Sequence, residues 1–270
     1  MNVLDFKKKK QQHKKISFLT CYDYPSARIA AEAGLDCLLV GDSVAMVVHG
    51  YPNTLHATME MMVLHTKAVA KGAGKKQFIV ADLPFLAHRG SREQVIENVK
   101  QLMQAGAHAI KIEGGDADCS STIQYLVTAG VPVLGHIGLT PQSVYQLGGY
   151  RVQGKKKLEA ELLLEQAVIL EQSGCTALVL ECILEQLAAS ITQTLTIPTI
   201  GIGAGRSTDG QILVWHDALG LQNELIPHFS KQFVMGQDYL VRGIKQYEDE
   251  VETGQFPSVH HVFQTEEMSA

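Results

Sequence analysis

The feature that most constrains this chain is a phrase that recurs with its parts in the same order. AGLDCLLVGD (33–42), AGAHAIKIEG (105–114) and SGCTALVLEC (173–182) each run from a small residue and a glycine through an apolar stretch to a polar residue, and AGVPVLGH (129–136) is a shorter copy. A glycine directly after a helical pattern suits the left-handed position that closes a helix. The apolar stretch is too short for a helix, and its Val, Ile and Leu suit a strand buried on both faces. The repeated unit is therefore helix, glycine cap, parallel strand, polar residue.

Eight such strands can be counted: ISFLTCY (16–22), DCLLVGD (36–42), QFIVADL (77–83), AIKIEG (109–114), VPVLGH (131–136), ALVLEC (177–182), IPTIGIG (197–203) and QILVWHD (211–217). Helical patterns fill most gaps, at 54–71, 91–105 and 157–173, and Ser91 and Gln94 have capping-box spacing. The gap between the seventh and eighth strands is too short for a full helix. Alternation of this kind over about 250 residues predicts an α/β fold, a (β/α)8 TIM barrel, with a doubly wound sheet as the alternative. The stretch from Pro227 reads as additional C-terminal helices and then a polar tail, 256–270. KKKKQQHKK (7–15), in a Lys-rich N-terminal segment (1–15), reads as a solvated tail or helix end. No Pro/Ser/Gly tract divides the chain, so 1–270 is expected to be a single domain.

Composition narrows the function. With 270 residues, 46% of them hydrophobic, the chain can bury a large core. No apolar run reaches the ~18–20 residues that span a bilayer, so no membrane partner is expected. The net charge is −5 and grows more negative without the six lysines of 7–15, which argues against nucleic acid. No apolar signal region follows those lysines. Five cysteines, an odd number without a CxxC pair, read as small buried hydrophobes in a reducing cytoplasm.

The polar residues at the strand ends carry the chemistry. Strand two ends in Asp42-Ser43, strand three in Asp82, strand four carries Lys111 and Glu113, strand five His136 and strand six Glu181. Lys111 and Glu113 lie two apart, so a strand points both the same way. Each alone has a plain structural role: an Asp caps the next helix, a Lys–Glu pair satisfies a core, a histidine is a bonded core imidazole. Five consecutive strands ending this way, all converging on the C-terminal mouth of a barrel, point to a functional cluster. Asp42, Asp82 and Glu113 offer hard oxygen ligands and no thiolate. That suits Mg2+ with open positions for a chelating 2-oxo acid, whose keto oxygen the metal would polarise. Lys111 adds positive charge for a carboxylate or enolate, and Glu181 is free to act as a base.

Three stretches are less specific. GIGAGRSTDGQ (201–211) lacks the spacing of a dinucleotide site and reads as a phosphate grip or a tight barrel-edge turn. GHIGLTPQS (135–143) and GGYRVQG (148–154) read as an ordered loop over the mouth. Trp215, His216 and Asp217 are assigned to packing on strand eight.

Taken together, TCYDYPSARIAAEAG, LLVGDSVAMVVHGY, ADLPF, IKIEGG, GHIGLTPQS, GGYRVQG, LVLEC and IGIGAGRSTDGQILVWHDALG resemble the ketopantoate hydroxymethyltransferase family across most of residues 18–255. The resemblance implies a (β/α)8 barrel, bound Mg2+ and a homo-oligomer, often a decamer of two stacked rings. It also implies hydroxymethyl transfer from 5,10-methylenetetrahydrofolate to the small-molecule substrate 3-methyl-2-oxobutanoate, a step of pantothenate biosynthesis. Carried over by motif, Asp42, Asp82 and Glu113 would serve the metal, and Asp42, Ser43, Asp82 and Lys111 would contact the 2-oxo acid. Glu181 would be the proton acceptor and His136 an auxiliary residue. The chain departs from the family pattern at His49, His88 and His228. Two rival functions stand beside this one: a Mg2+-dependent carbon–carbon lyase resembling isocitrate lyase, and a barrel kept only for binding or assembly.

Overall fold

The computed structural model describes residues 1–74, 77–222 and 226–263. Eight parallel strands close on themselves in chain order. They are β1 (Ile16–Thr20), β2 (Cys37–Val40), β3 (Phe78–Asp82), β4 (Ala109–Glu113), β5 (Val133–Gly138), β6 (Ala177–Glu181), β7 (Thr199–Ile202) and β8 (Gly210–Leu213). The register sets Asp82 beside Lys111, Glu113 beside His136 and Gly138 beside Glu181. The ladder itself therefore steps the charged residues around one rim.

Period two decides what fills the barrel. Phe18, Leu39, Val80, Ala109, Leu134, Val179, Ile200 and Ile212 join one buried cluster. Two residues further along β3, β4, β5 and β6 come Asp82, Lys111, His136 and Glu181, which therefore share that inward face. Ile110 and Ile112 take the opposite face of β4 and are also fully buried. A strand covered on both sides in this way gains about 1.5–3 kcal/mol per large apolar side chain.

The helices follow the predicted patterns, with local differences that their caps explain. The pattern at 54–71 divides into a 3-10 turn, Thr54–His56, and a helix, Met59–Ala73. Asn53 caps the first and Thr58 the second, each accepting a backbone N–H. Ser91 caps Arg92–Ala105 by accepting from Gln94 N, but the Gln94 side chain donates to Asn98 rather than turning back, so only half of the capping box forms. Gly106 closes that helix with φ of 113°. Lys157–Gln172 covers the third predicted helix.

Strand eight is shorter than expected. β8 stops at Leu213, and Trp215–Ala218 is a single helical turn. The Trp215 N–H is bonded to the Thr20 hydroxyl at 2.8 Å instead of to a neighbouring strand, which turns the chain out of the barrel wall. Residues 203–209 join β7 to β8 without a helix. A Cβ on Gly205 would collide with the Glu185 side chain, and Gln211 Nε2 donates to Gly205 O and Thr208 Oγ1. The loop is pinned at the barrel edge, with Arg206 also donating to Glu185 and Asp209 accepting from the Thr199 N–H.

The Lys-rich start is a helix, Val3–Gln11, and not a free tail. Its Phe6 is fully buried among the barrel core and packs edge-on against Phe78, with centroids 5.1 Å apart. Lys9 pairs with Asp36 at 2.5 Å, and Lys10 with Asp209 at 2.9 Å. The helix thus plugs the N-terminal end of the barrel. Burial opposes the charge of Asp36, but the Lys9 ammonium and Ser17 outweigh it, so the carboxyl titrates below its usual range. A depressed carboxylate stabilises the fold above its unfolded value of about 3.9, and that contribution is lost as pH falls through the folded value. Lys9→Met should therefore cost about 1 kcal/mol at pH 7, after discounting for solvent screening. Urea unfolding should show the difference from wild type closing as the pH is lowered below about 4. A difference that persists undiminished in acid would assign the loss to packing.

Residues Met1–Trp215 form the barrel unit, and a second compact unit runs from His216. In the second, Phe233, Gly236 and Gln237 donate to the carbonyls of Ala218, Leu219 and Gly220. A 17-residue helix, Gly236–Glu252, follows with no buried residue. Of the expected polar tail, residues 264–270 lie outside the described residues.

Candidate active site

Every residue at the mouth is placed by a strand end or the turn after it. Asp42 follows β2 after Gly41, and its backbone N–H donates to Asp82 Oδ2 at 3.1 Å, tying the ends of β2 and β3 together. A side chain at Gly41 would lie 2.8 Å from Ser43 Oγ, so glycine there leaves room for the Ser43 hydroxyl, which bonds the Tyr22 hydroxyl at 2.8 Å. Lys111 Nζ lies 3.2 Å from Asp82 Oδ1 and 3.4 Å from Glu113 Oε1. His136 bridges two acids, with Nδ1 3.2 Å from Glu113 Oε1 and Nε2 3.3 Å from Glu181 Oε2. The structure thus brings Asp42, Ser43, Asp82, Lys111, Glu113, His136 and Glu181 to one mouth.

The loop after β5 closes over this cluster. The Gln142 N–H donates to Glu113 Oε2 at 3.1 Å, and its side-chain amide donates to Asp42 Oδ2 and Leu83 O, both at 2.9 Å. Gln142 was not singled out in the sequence, although it lies inside GHIGLTPQS; its partners are 29, 59 and 100 residues away. The loop is fastened to β6 by Leu139 N–H on the Glu181 carbonyl and Gln153 N–H on the Cys182 carbonyl. Gly138 is required at that crossing, because a Cβ would collide with the Glu181 carbonyl. Arg89 clips the loop after β3 to the loop after β4 by bonding both Asp116 and Asp118.

Burial makes the charges matter. Asp42, Asp82, Lys111, Glu113 and His136 are only 2–5% exposed, while the Glu181 side chain is 14% exposed. Burial and then the repulsion of Glu113 and Asp82 push the Asp42 carboxyl well above the ordinary carboxylate range. Asp82 is also raised, by burial first, against the pull of Lys111. Glu113 behaves oppositely: burial opposes its charge, but Lys111 and His136 hold it down at about 2. Lys111 stays charged despite burial because Asp82, Glu113 and Asp42 surround it. Burial and Lys111, whose Nζ is 3.1 Å from Nδ1, both disfavour the His136 imidazolium, yet Glu113 and Glu181 raise it to about 9.

This cluster holds more acid than its resident cations neutralise. Asp82 Oδ1 faces Lys111 without forming an aligned hydrogen bond. The donor set, carboxylate oxygen without sulfur, fits a hard divalent cation. Among the described residues no three His, Cys, Asp or Glu side chains stand as a ready-made metal cage. The reason is visible in the contacts: Lys111 and Gln142 occupy the gaps between the carboxylates, and both Glu113 oxygens already have protein partners.

A closed parallel (β/α)8 barrel with a buried, charge-rich cluster at the C-terminal ends of its strands defines a barrel enzyme. A profile of the ketopantoate hydroxymethyltransferase family matches residues 1–259, so the chain belongs to that family and is a hydroxymethyltransferase. A relative in Legionella pneumophila (strain Lens), named 3-methyl-2-oxobutanoate hydroxymethyltransferase, is 59% identical over 97% of this chain and 100% of its own length. A Bacillus cereus protein of the same name is 52% identical over 97% of this chain and 94% of its own. Among solved structures, phosphonopyruvate hydrolase in complex with oxalate and Mg2+ shares the fold with a TM-score of 0.64 at 13% identity, covering 97% of this chain and 93% of that one. For 2,3-dimethylmalate lyase, a PEP mutase/isocitrate lyase superfamily member, the TM-score is 0.61 at 17% identity, covering 99% and 91%. At such identities these two speak for the fold alone.

Proposed function

We propose that this chain transfers a hydroxymethyl group from 5,10-methylenetetrahydrofolate to 3-methyl-2-oxobutanoate, giving ketopantoate and tetrahydrofolate in pantothenate biosynthesis, with Mg2+ bound. The observation that carries the proposal is the pairing of two unlike acid sites. Asp82 faces Lys111 and accepts from the Asp42 N–H, and Glu181 stands apart from them beyond His136. The names of the relatives support the substrate.

Asp42, Asp82 and Glu113 would hold the cation, which when bound supplies Lewis acidity at a keto oxygen. Asp42, Ser43, Asp82 and Lys111 contact the 2-oxo acid, with the Lys111 ammonium offsetting its carboxylate. Glu181 accepts the C3 proton, and His136 Nε2, 3.3 Å from its carboxylate, positions it. C3 then bonds to the methylene carbon, water supplies the hydroxyl, and both bonds from that carbon to the folate nitrogens break; the C3 proton and the second proton of the water go to those two nitrogens, leaving tetrahydrofolate. Gln142 holds Asp42 and Glu113 in place throughout.

Removal of the C3 proton needs no folate. In D2O with Mg2+ alone, the methyl doublet of 3-methyl-2-oxobutanoate should collapse in the proton NMR spectrum, and ketopantoate should form only after 5,10-methylenetetrahydrofolate is added. Carbon–carbon cleavage without folate would favour the lyase, and an unchanged doublet would favour the non-catalytic barrel.

We also infer a cytoplasmic homo-oligomer, a decamer. Supporting the assembly, the helix Gly236–Glu252 leaves Tyr239, Leu240, Val241, Ile244, Tyr247 and Val251 exposed. Supporting the compartment, all five cysteines are free and buried. Among the described residues no helix is long and apolar enough to cross a membrane. Sedimentation velocity should show one species near ten times the 29.5 kDa chain mass. A clean monomer at micromolar concentration would refute the assembly.

A further inference from the structure

A pair of histidines lies apart from the catalytic cluster and has no part in the chemistry above. His49 sits in the turn after the short helix Val44–Val47, where its own N–H and those of Gly50 and Tyr51 are tied to the carbonyls of Val44, Met46 and Ala45. His65 lies within the helix Met59–Ala73. The two Nε2 atoms are 3.0 Å apart, and the rings meet edge to face at 79° with centroids 5.2 Å apart. The geometry points to a second metal site, in which His49 and His65 bind one divalent transition-metal ion such as Cu2+ or Zn2+ through their Nε2 atoms.

The proton positions support it. His65 Nδ1 is 2.6 Å from the Tyr22 carbonyl. A carbonyl only accepts, so the His65 proton is on Nδ1 and its Nε2 lone pair faces His49. Metal-binding histidines characteristically donate their other ring N–H to a backbone carbonyl in this way, which fixes both tautomer and ring orientation. The 3.0 Å contact is therefore made by His49 Nε2–H donating to His65. To bind an ion, His49 needs only to lose that proton and take one on Nδ1 through solvent, since its ring is exposed. No net proton is released and nothing is oxidised.

The spacing also fits. Two imidazole nitrogens about 2.0–2.1 Å from one ion lie roughly 2.9–3.4 Å apart across square-planar to tetrahedral angles. The pair is already within that range. Imidazole prefers Cu2+, Ni2+ and Zn2+, whereas the carboxylate cluster at the mouth prefers Mg2+, so the two sites select different ions. Among the described residues no third His, Cys, Asp or Glu joins the pair, which leaves coordination positions for water or an outside ligand. Occupancy would tie the segment that starts beside Ser43 to the helix carrying His65. The Tyr22 residue that anchors His65 also bonds Ser43 through its hydroxyl.

The test uses the full untagged chain, saturated with Mg2+ and titrated with Cu2+, read by electron paramagnetic resonance and by competition with a coloured chelator. Wild type should bind one tight equivalent of Cu2+ whose spectrum carries superhyperfine structure from two imidazole nitrogens. His49→Gln, an exposed substitution, should lose that two-nitrogen signature and weaken binding at least about tenfold, the loss that even an outer partner of a metal ligand causes. His65→Gln should behave alike, and circular dichroism would establish that both variants fold. No tight copper in wild type, or a two-nitrogen spectrum and affinity unchanged in folded His49→Gln, would overturn the assignment.

Discussion

Replacing Glu181 by Gln is expected to slow exchange of the C3 hydrogen of 3-methyl-2-oxobutanoate by about 10²–10⁴-fold, the usual contribution of one general base. The substitution keeps the shape of the side chain and removes only its capacity to take a proton. Glu181 terminates β6, and its backbone carbonyl is held by Leu139 N–H at 2.8 Å, so the variant should fold and its main chain should stay in place. Affinity for Mg2+ and for the 2-oxo acid should change little, because Glu181 is not among the residues assigned to either. The effect should thus fall on the rate and spare binding. Exchange at the wild-type rate would move the base elsewhere, and His136, 3.3 Å away, is the first candidate. His136→Gln with Glu181 intact would then separate the two.

Asp82→Asn is expected to cut turnover at least about 10²-fold, close to 3 kcal/mol of transition-state stabilisation. Asn preserves volume but halves the acceptor capacity and removes the charge that Lys111 faces at 3.2 Å. It also alters the bond that aligns Asp42, whose N–H donates to Asp82 Oδ2. Asp42→Asn should lose activity to a similar extent. In the wild type, EDTA should abolish turnover and added Mg2+ restore it. Full activity after rigorous chelation would remove the metal from the mechanism and leave electrophilic assistance to Lys111 and the His136 imidazolium.

The two outcomes separate the roles that the mouth assigns to its acids. A base variant should retain substrate affinity and lose proton transfer. A variant of the Asp42–Asp82 pair should lose metal dependence as well as rate. Equal losses of binding and exchange in both would mean that the cluster acts as one structural unit, a result that the shared His136 and Lys111 contacts make chemically intelligible.

Much of the barrel was determined by sequence alone, because its signals are local. Apolar runs of strand length, four of them after a glycine cap, specified eight strands, and period two put Lys111 and Glu113 on the face of Ala109. Strand ends in a closed parallel barrel must converge, so the cluster from Asp42 to Glu181 was legible before any contact was known. Tertiary structure alone decided the rest. Whether the Lys-rich start floats or plugs depends on Phe6 meeting Phe18 and Phe78, and no local period encodes that meeting. Where β8 ends depends on the Thr20 hydroxyl, 195 residues away in the chain. Gln142 becomes part of the site only when its loop folds onto Asp42 and Glu113, and His49 meets His65 only when a turn lands on a helix. Such contacts are made by single polar groups across long stretches of chain. Their energy is a hydrogen bond or two, with no repeating pattern along the sequence to announce it.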